Sequence, residues 1–187
     1  MSTKTTKPKD PGVNRRWLVV DAAGKPLLSW RVQILPYLDQ QKLYAQFHLD
    51  EPWDSAHNRP LIDQMPAVFR SPRCQRAEKG VTTYVVPVGE GTAFPGRQAI
   101  GLKDITDGTS NTIMAVEVDD AHAVVWTQPA DWPFDAQQPR VGLGLPRGPG
   151  FLAAFCDGSV RLIPQTVEDK MLRLLLLRAD GQPVPNF

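Results

Sequence analysis

The sequence predicts an α+β domain: an antiparallel sheet with helices on its N-terminal side and a β-hairpin plus helix at its C-terminal end. Three observations carry this. Apolar residues recur at helical spacing between Ser29 and Phe47, β-branched and aromatic runs with strand periodicity begin at Val81, and an Asp-Gly pair sits between two apolar runs just ahead of a Leu-rich amphipathic stretch.

Taken in order, Trp17–Asp21 reads as a short strand and Ala22–Pro26 as the turn after it. Ser29 is the N-cap of a helix that Pro36 kinks or restarts, with Asp39 as a second cap and the helical region reaching Phe47. Asn58–Met65 is another short helix, stopped by Pro66, and Ala67–Phe69 is extended. Val81–Val88, Thr112–Val118 and Ala123–Thr127 are strands, separated by Gly, Pro and Asp clusters. The Pro- and Gly-rich span 128–149 is a long irregular loop.

Asp157-Gly158 favours a two-residue type I′ turn. That register sets Phe155 opposite Val160 and Ala153 opposite Leu162, so Phe151, Ala153, Phe155, Val160 and Leu162 share the face that enters the core. Thr166 with Asp169 resembles a capping box opening a helix of about 13 residues, in which Val167, Met171, Leu174 and Leu175 form the packing stripe and Gly181 lies just past the end.

At 187 residues the chain is expected to hold one domain, residues 17–187, behind a polar leader, 1–16, broken by Pro8 and Pro11 and read as disordered. A domain of this length buries roughly 70% of its unfolded surface and needs neither disulfides nor a structural metal for a core. With 21 Lys+Arg against 20 Asp+Glu the net charge is +1, which argues against an electrostatic nucleic-acid binder. No apolar run approaches the roughly 20 residues of a membrane helix, and no secretory signal is seen, so the chain as written reads as soluble. Cys74 and Cys156 could close a long loop as a disulfide; without a secretory signal the expectation is two free thiols, with no His placed beside either in sequence.

Two clusters could carry chemistry. His48, Asp50, Glu51, Asp54 and His57 fall within ten residues and could ligate zinc or shuttle protons, although the spacing is not that of a helical zinc motif. A capped turn is the competing reading, with Trp53 packed inward and Asp54 or Asn58 capping the segment after it. Asp104, Asp107 and Asn111 lie in an oxygen-rich loop that would suit calcium, yet the loop lacks the alternating acids and terminal Glu of an EF-hand; the competing reading is an Asp-Gly turn whose side chains satisfy local backbone. No nucleophile elbow, P-loop or dinucleotide fingerprint is present; Gly89–Gly96 has the wrong spacing.

Eight segments in succession resemble a bacterial family known as domain of unknown function 1559. They are GKPLLSWRV (24–32), LPYLDQ (35–40), LDEPWDS (49–55), NRPL (58–61), MPAVFR (65–70), GTAF (91–94), DITDGTSNT (104–112) and FCDGSVR (155–161). The family is abundant in planctomycete-type genomes and often described as prepilin-like. The resemblance implies a pseudopilin-like globular head, normally carried on an N-terminal hydrophobic helix, with partners among pilin-like or envelope proteins and no known enzymatic activity. This sequence departs from the pattern in two ways: the apolar helix is absent, and Arg147 stands where relatives often have a His ten positions before the Asp-Gly turn.

Three functions stand as expectations. The first is a non-enzymatic structural or protein-interaction module. The second is a metal-dependent hydrolase using His48, Asp50, Asp54 and His57. The third is a calcium-binding module at Asp104, Asp107 and Asn111.

Overall fold

The computed structural model describes residues 27–96, 100–144 and 148–184. The expected leader, the Trp17–Asp21 strand with its turn, and Arg147 lie outside the described residues. In chain order the elements are α1 (Trp30–Gln33), α2 (Gln41–Tyr44), β1 (Val81–Thr82), β2 (Tyr84–Val85), β3 (Pro87–Val88) and β4 (Ile113–Glu117). After them come β5 (Val124–Val125), β6 (Trp132–Pro133), β7 (Gly150–Phe155), β8 (Val160–Pro164) and α3 (Asp169–Leu176), with short 3₁₀ turns between several of these elements. The mixed α+β class and the C-terminal hairpin-plus-helix are as the sequence predicts. One pair of short strands, β3 with β6, is parallel; the other pairs are antiparallel.

The chain forms two compact units. The first comprises the described residues up to Arg70 together with Ala77–Thr82 and Val124–Ala130; the second comprises the described residues of Ser71–Arg76, of Thr83–Ala123 and from Asp131 onward.

In the first unit Ser29 caps α1, its Oγ accepting from Arg31 N at 3.2 Å and from Arg31 Nη1 at 2.8 Å. Pro36 then forces a 3₁₀ turn, Leu35–Leu38, as its missing N–H requires. Asp39 does not cap the next helix. It sits at φ 58 and ends the 3₁₀ turn, so the expected helical region is three short pieces. Ala67–Phe69 is also not extended but a 3₁₀ turn, in which Phe69 N bonds back to Pro66 O at 3.0 Å. That turn delivers Phe69 to the centre of the core. There the Trp126 ring stacks on Phe69 and meets the edge of Phe47, both at 5.8 Å between centroids, and its indole N–H donates to Ile62 O at 2.9 Å. Leu28, Val32 and Leu35 are fully buried around them. β1 pairs with β5, and Trp126 N donates to Gly80 O. Gly80 stands at φ +70, and a Cβ there would lie 2.3 Å from Ile62 Cγ2 and 2.6 Å from Ile62 O, so no other residue fits.

In the second unit one antiparallel sheet runs in the order β2-β4-β7-β8. The run Val81–Val88, expected as one strand, is three two-residue pieces that take partners in three different sheets. Thr83 O accepts from Val118 N, and Val86 N donates to Asp131 Oδ1, so the residues between the pieces bond outside any common ladder.

The hairpin departs from its expected register by one residue. Ala154 faces Val160, Ala153 faces Arg161 and Leu152 faces Leu162. The connection is a three-residue loop, Cys156-Asp157-Gly158, bracketed by Phe155 N donating to Ser159 O at 2.8 Å and closed by Gly158 at φ +86. Because strand side chains alternate, the slip sends one row of β8 to the opposite face. Phe151, Ala153 and Phe155 are buried as expected, whereas Val160 is 64% and Leu162 47% exposed, with Ile163 buried in their place.

Helix α3 is eight residues long, not about 13. The expected capping box does not form, because the Asp169 carboxylate accepts from Arg140 Nε at 2.8 Å, and the same guanidinium binds the Gln165 and Val167 carbonyls and holds the preceding segment out of the helix. Arg178 N, bonded to Gly91 O at 2.9 Å, draws the chain into extended conformation at the other end. Leu172, Leu174, Leu175 and Leu176 are the buried residues, while Val167 and Met171 are only partly so.

Candidate functional site

The loop 46–58 of the first unit is organised by Asn58, which is fully buried. Its Oδ1 accepts from His48 N at 3.0 Å, and its Nδ2 lies within bonding distance of the carbonyls of His48 (2.9 Å), Pro52 (3.0 Å) and Glu51 (3.3 Å). One amide thus serves His48 N and Glu51 O and adds a second bond to the His48 and Pro52 carbonyls, which also accept from Glu51 N and Ser55 N. Trp53 N is held by Leu27 O at 2.8 Å. His48 and His57 come together on this frame as a parallel stack, 3.4 Å between centroids and 1° between planes. His48 Nδ1 pairs with Glu51 Oε1 at 2.9 Å, and His57 Nε2 donates to Gln46 O at 2.8 Å. The bond from His48, then that from Ser55, and then the charges of the two imidazoles hold the Glu51 carboxyl below its ordinary range. The nitrogen lone pairs of stacked rings lie in two parallel planes and do not converge on one point.

In the second unit the loop 104–112 ties separate segments together. Asp104 Oδ2 accepts from Gly101 N at 2.7 Å and closes a 3₁₀ turn. Asp107 reaches the C-terminal segment: its two carboxylate oxygens accept from Asp180 N at 2.7 Å and Gly181 N at 3.1 Å. Asn111 Nδ2 donates to Asp107 O, and Thr112 Oγ1 to Gly108 O. The loop also reaches the hairpin, since Cys156 N donates to Thr112 O at 2.9 Å and Asp157 N to Thr109 O at 3.1 Å. Asp104, Asp107 and Asn111 therefore each hold backbone. Among the described residues no three His, Cys, Asp or Glu side chains come together as a metal ion would require.

A third cluster escapes reading by motif. Glu117 on β4 is almost fully buried; Ser71 Oγ donates to its Oε1, and Arg73 Nη2 forms an ion pair with its Oε2. Arg73 also reaches Gly150 O on β7 at 3.4 Å. The available signal was a single carboxylate inside the apolar run TIMAVEV, since a charge placed in a buried strand demands a partner.

A recess of about 140 Å³ is lined by His122, Trp132, Pro133, Asp135, Gln138 and Val141, with His122 Nδ1 bonded to Asp119 Oδ1 at 2.7 Å. It is smaller than the roughly 300–1,000 Å³ of a metabolite site. Cys74 and Cys156 are free thiols. Burial, and secondarily the Asp157 charge, pushes Cys156 up to about 11, which suppresses the thiolate that nucleophilic chemistry would use.

Among the described residues no helix is long and apolar enough to cross a membrane. No curated protein and no solved structure matches the sequence. A family model described as "Protein of unknown function (DUF1559)" matches residues 2–147, a span that takes in the segments that build the Asn58-centred loop and the 104–112 clamp. The chain belongs to that family.

Proposed function

We propose that this chain is a non-enzymatic structural or protein-interaction domain, similar to the globular head of bacterial pseudopilin-like proteins, whose partners are other proteins of the envelope. The observation that carries the reading is the use made of Asp107, whose carboxylate is spent on the backbone N–H groups of Asp180 and Gly181. Asn58 is spent in the same way on loop carbonyls. Residues of the recognisable segments thus shape a frame on which the surface is displayed, and that surface includes an apolar row, Val160 and Leu162, facing outward from the sheet.

The rival readings are a hydrolase at His48, Asp50, Asp54 and His57 and a calcium module at Asp104, Asp107 and Asn111. Elemental analysis of the purified chain before and after chelation, with melting curves of both samples, separates them from the proposal. We expect no stoichiometric metal and superimposable curves. A bound equivalent of zinc or calcium whose removal lowers the melting temperature would replace the proposal with the corresponding rival.

A further inference from the structure

Among the described residues the outer edge of the second unit's sheet is β8, which pairs there with β7 alone. The ladder is in phase with two bonds that bracket it, Phe155 N to Ser159 O and Gln165 N to Pro149 O. Arg161 and Ile163 therefore exchange backbone hydrogen bonds with β7, and the N–H and C=O groups of Val160 and Leu162 point away from the sheet. Beyond them the edge closes: Pro164 has no N–H, and its carbonyl accepts from Val167 N at 3.1 Å. Among the described residues two residues of open edge remain, and both carry exposed apolar side chains where a solvated strand face is ordinarily polar.

The residue between them sets the chemistry of a strand that can pair there. Arg161 projects to the opposite face and lies over the Phe155 ring, 4.3 Å from its centroid. The nearby Asp157 carboxylate is occupied by Ser159 N at 2.9 Å and Ser159 Oγ at 2.7 Å, so Arg161 has no carboxylate bound to it among the described residues. A second copy is a poor occupant. Antiparallel pairing of β8 with itself through Val160 and Leu162 centres on Arg161 and sets two guanidinium groups directly opposite each other, an unfavourable cross-strand pair. A strand with an acidic residue at that place reverses the sign.

The geometry points to β8 as an acceptor edge for an extended segment of another protein with the pattern apolar–acidic–apolar, the acid opposite Arg161 and the apolar residues opposite Val160 and Leu162. This rests on the reading of the chain as an interaction module and names the partner's chemistry.

The probe is a fluorescein-labelled heptapeptide, Val-Thr-Val-Glu-Val-Thr-Val, followed by anisotropy on the full chain. We expect saturable binding, about fivefold tighter than for the same peptide with a central Lys, as attraction gives way to repulsion across one strand pair. Arg161→Glu should invert that preference. Methylating the amide nitrogens of the two Val residues beside the Glu, which face the edge, should abolish binding, and methylating the Glu nitrogen, which faces away, should leave it. Those two peptides use the unaltered protein and do not depend on a variant folding. Equal binding of the Glu and Lys peptides, indifference to the site of methylation, absence of binding, or a dimer in sedimentation that Leu162→Lys dissolves would each overturn the inference. Such failures remove this edge alone, whereas a stoichiometric metal found by elemental analysis would remove the module reading itself.

Discussion

Asn58→Ala should lower the unfolding free energy by about 3–4 kcal/mol, read as a shifted midpoint in urea denaturation. The cause is the number of backbone groups one side chain serves. Asn58 is fully buried and meets His48 N and the carbonyls of His48, Glu51 and Pro52. Alanine leaves His48 N and Glu51 O without a partner, while the His48 and Pro52 carbonyls keep the N–H groups of Glu51 and Ser55. Each orphaned group costs about 1–3 kcal/mol when water cannot reach it, and loop relaxation recovers part of the total. The stacked imidazoles make an internal comparison. His48→Gln and His57→Gln remove side chains bonded at the surface, one to Glu51 and one to Gln46 O, so each should cost less than about 1 kcal/mol. If the His variants destabilise as much as Asn58→Ala, the stack and not the amide organises this loop.

Glu117→Ala should cost about 3 kcal/mol, near the lower end for breaking a buried ion pair. The lower end applies because Arg73 is about 30% exposed and its orphaned guanidinium can turn toward water, while Ser71 stays buried and loses its acceptor. The guanidinium also bonds Gly150 O, so loosening it disturbs β7 as well as β4. Glu117→Gln keeps an acceptor for Ser71 and should fall between wild type and Glu117→Ala. A midpoint unchanged by Glu117→Ala would mean that the carboxylate is not a structural partner of Ser71 and Arg73.

The hairpin shows where sequence reasoning runs out. Asp-Gly marks a turn in either register, because Gly supplies positive φ both to a two-residue turn and at the end of a three-residue loop. The longer loop is selected by groups distant in sequence: the N–H groups of Cys156 and Asp157 are captured by the Thr112 and Thr109 carbonyls. No local pattern contains that. The same holds for α3, shortened when Arg140 takes the Asp169 carboxylate, and for the split of Val81–Val88 among three sheets. Local signals succeeded where the deciding partner is near, as with Ser29 capping α1 through Arg31 N and Pro36 breaking the helix after it.

At the candidate sites the residue types were legible and their employment was not. Spacing brought out the His48–His57 and Asp104–Asn111 groups as possible ligands. Their partners became visible only in the folded chain, because Asp107 bonds Asp180 and Gly181 more than 70 positions downstream. Asn58 looked like a helix cap. It proved to be the plug of a loop, accepting from and donating to residues on its N-terminal side.

The central claim is that the Asp104 and Asp107 carboxylates hold backbone and not a ligand, and amide hydrogen exchange at Asp180 and Gly181 tests it most directly. Both amides should exchange slowly in the wild type, at the same rate in excess calcium as in chelator, and should become fast in Asp107→Ala. Amides that are fast in chelator and slow in calcium would contradict the account and make Asp107 a ligand.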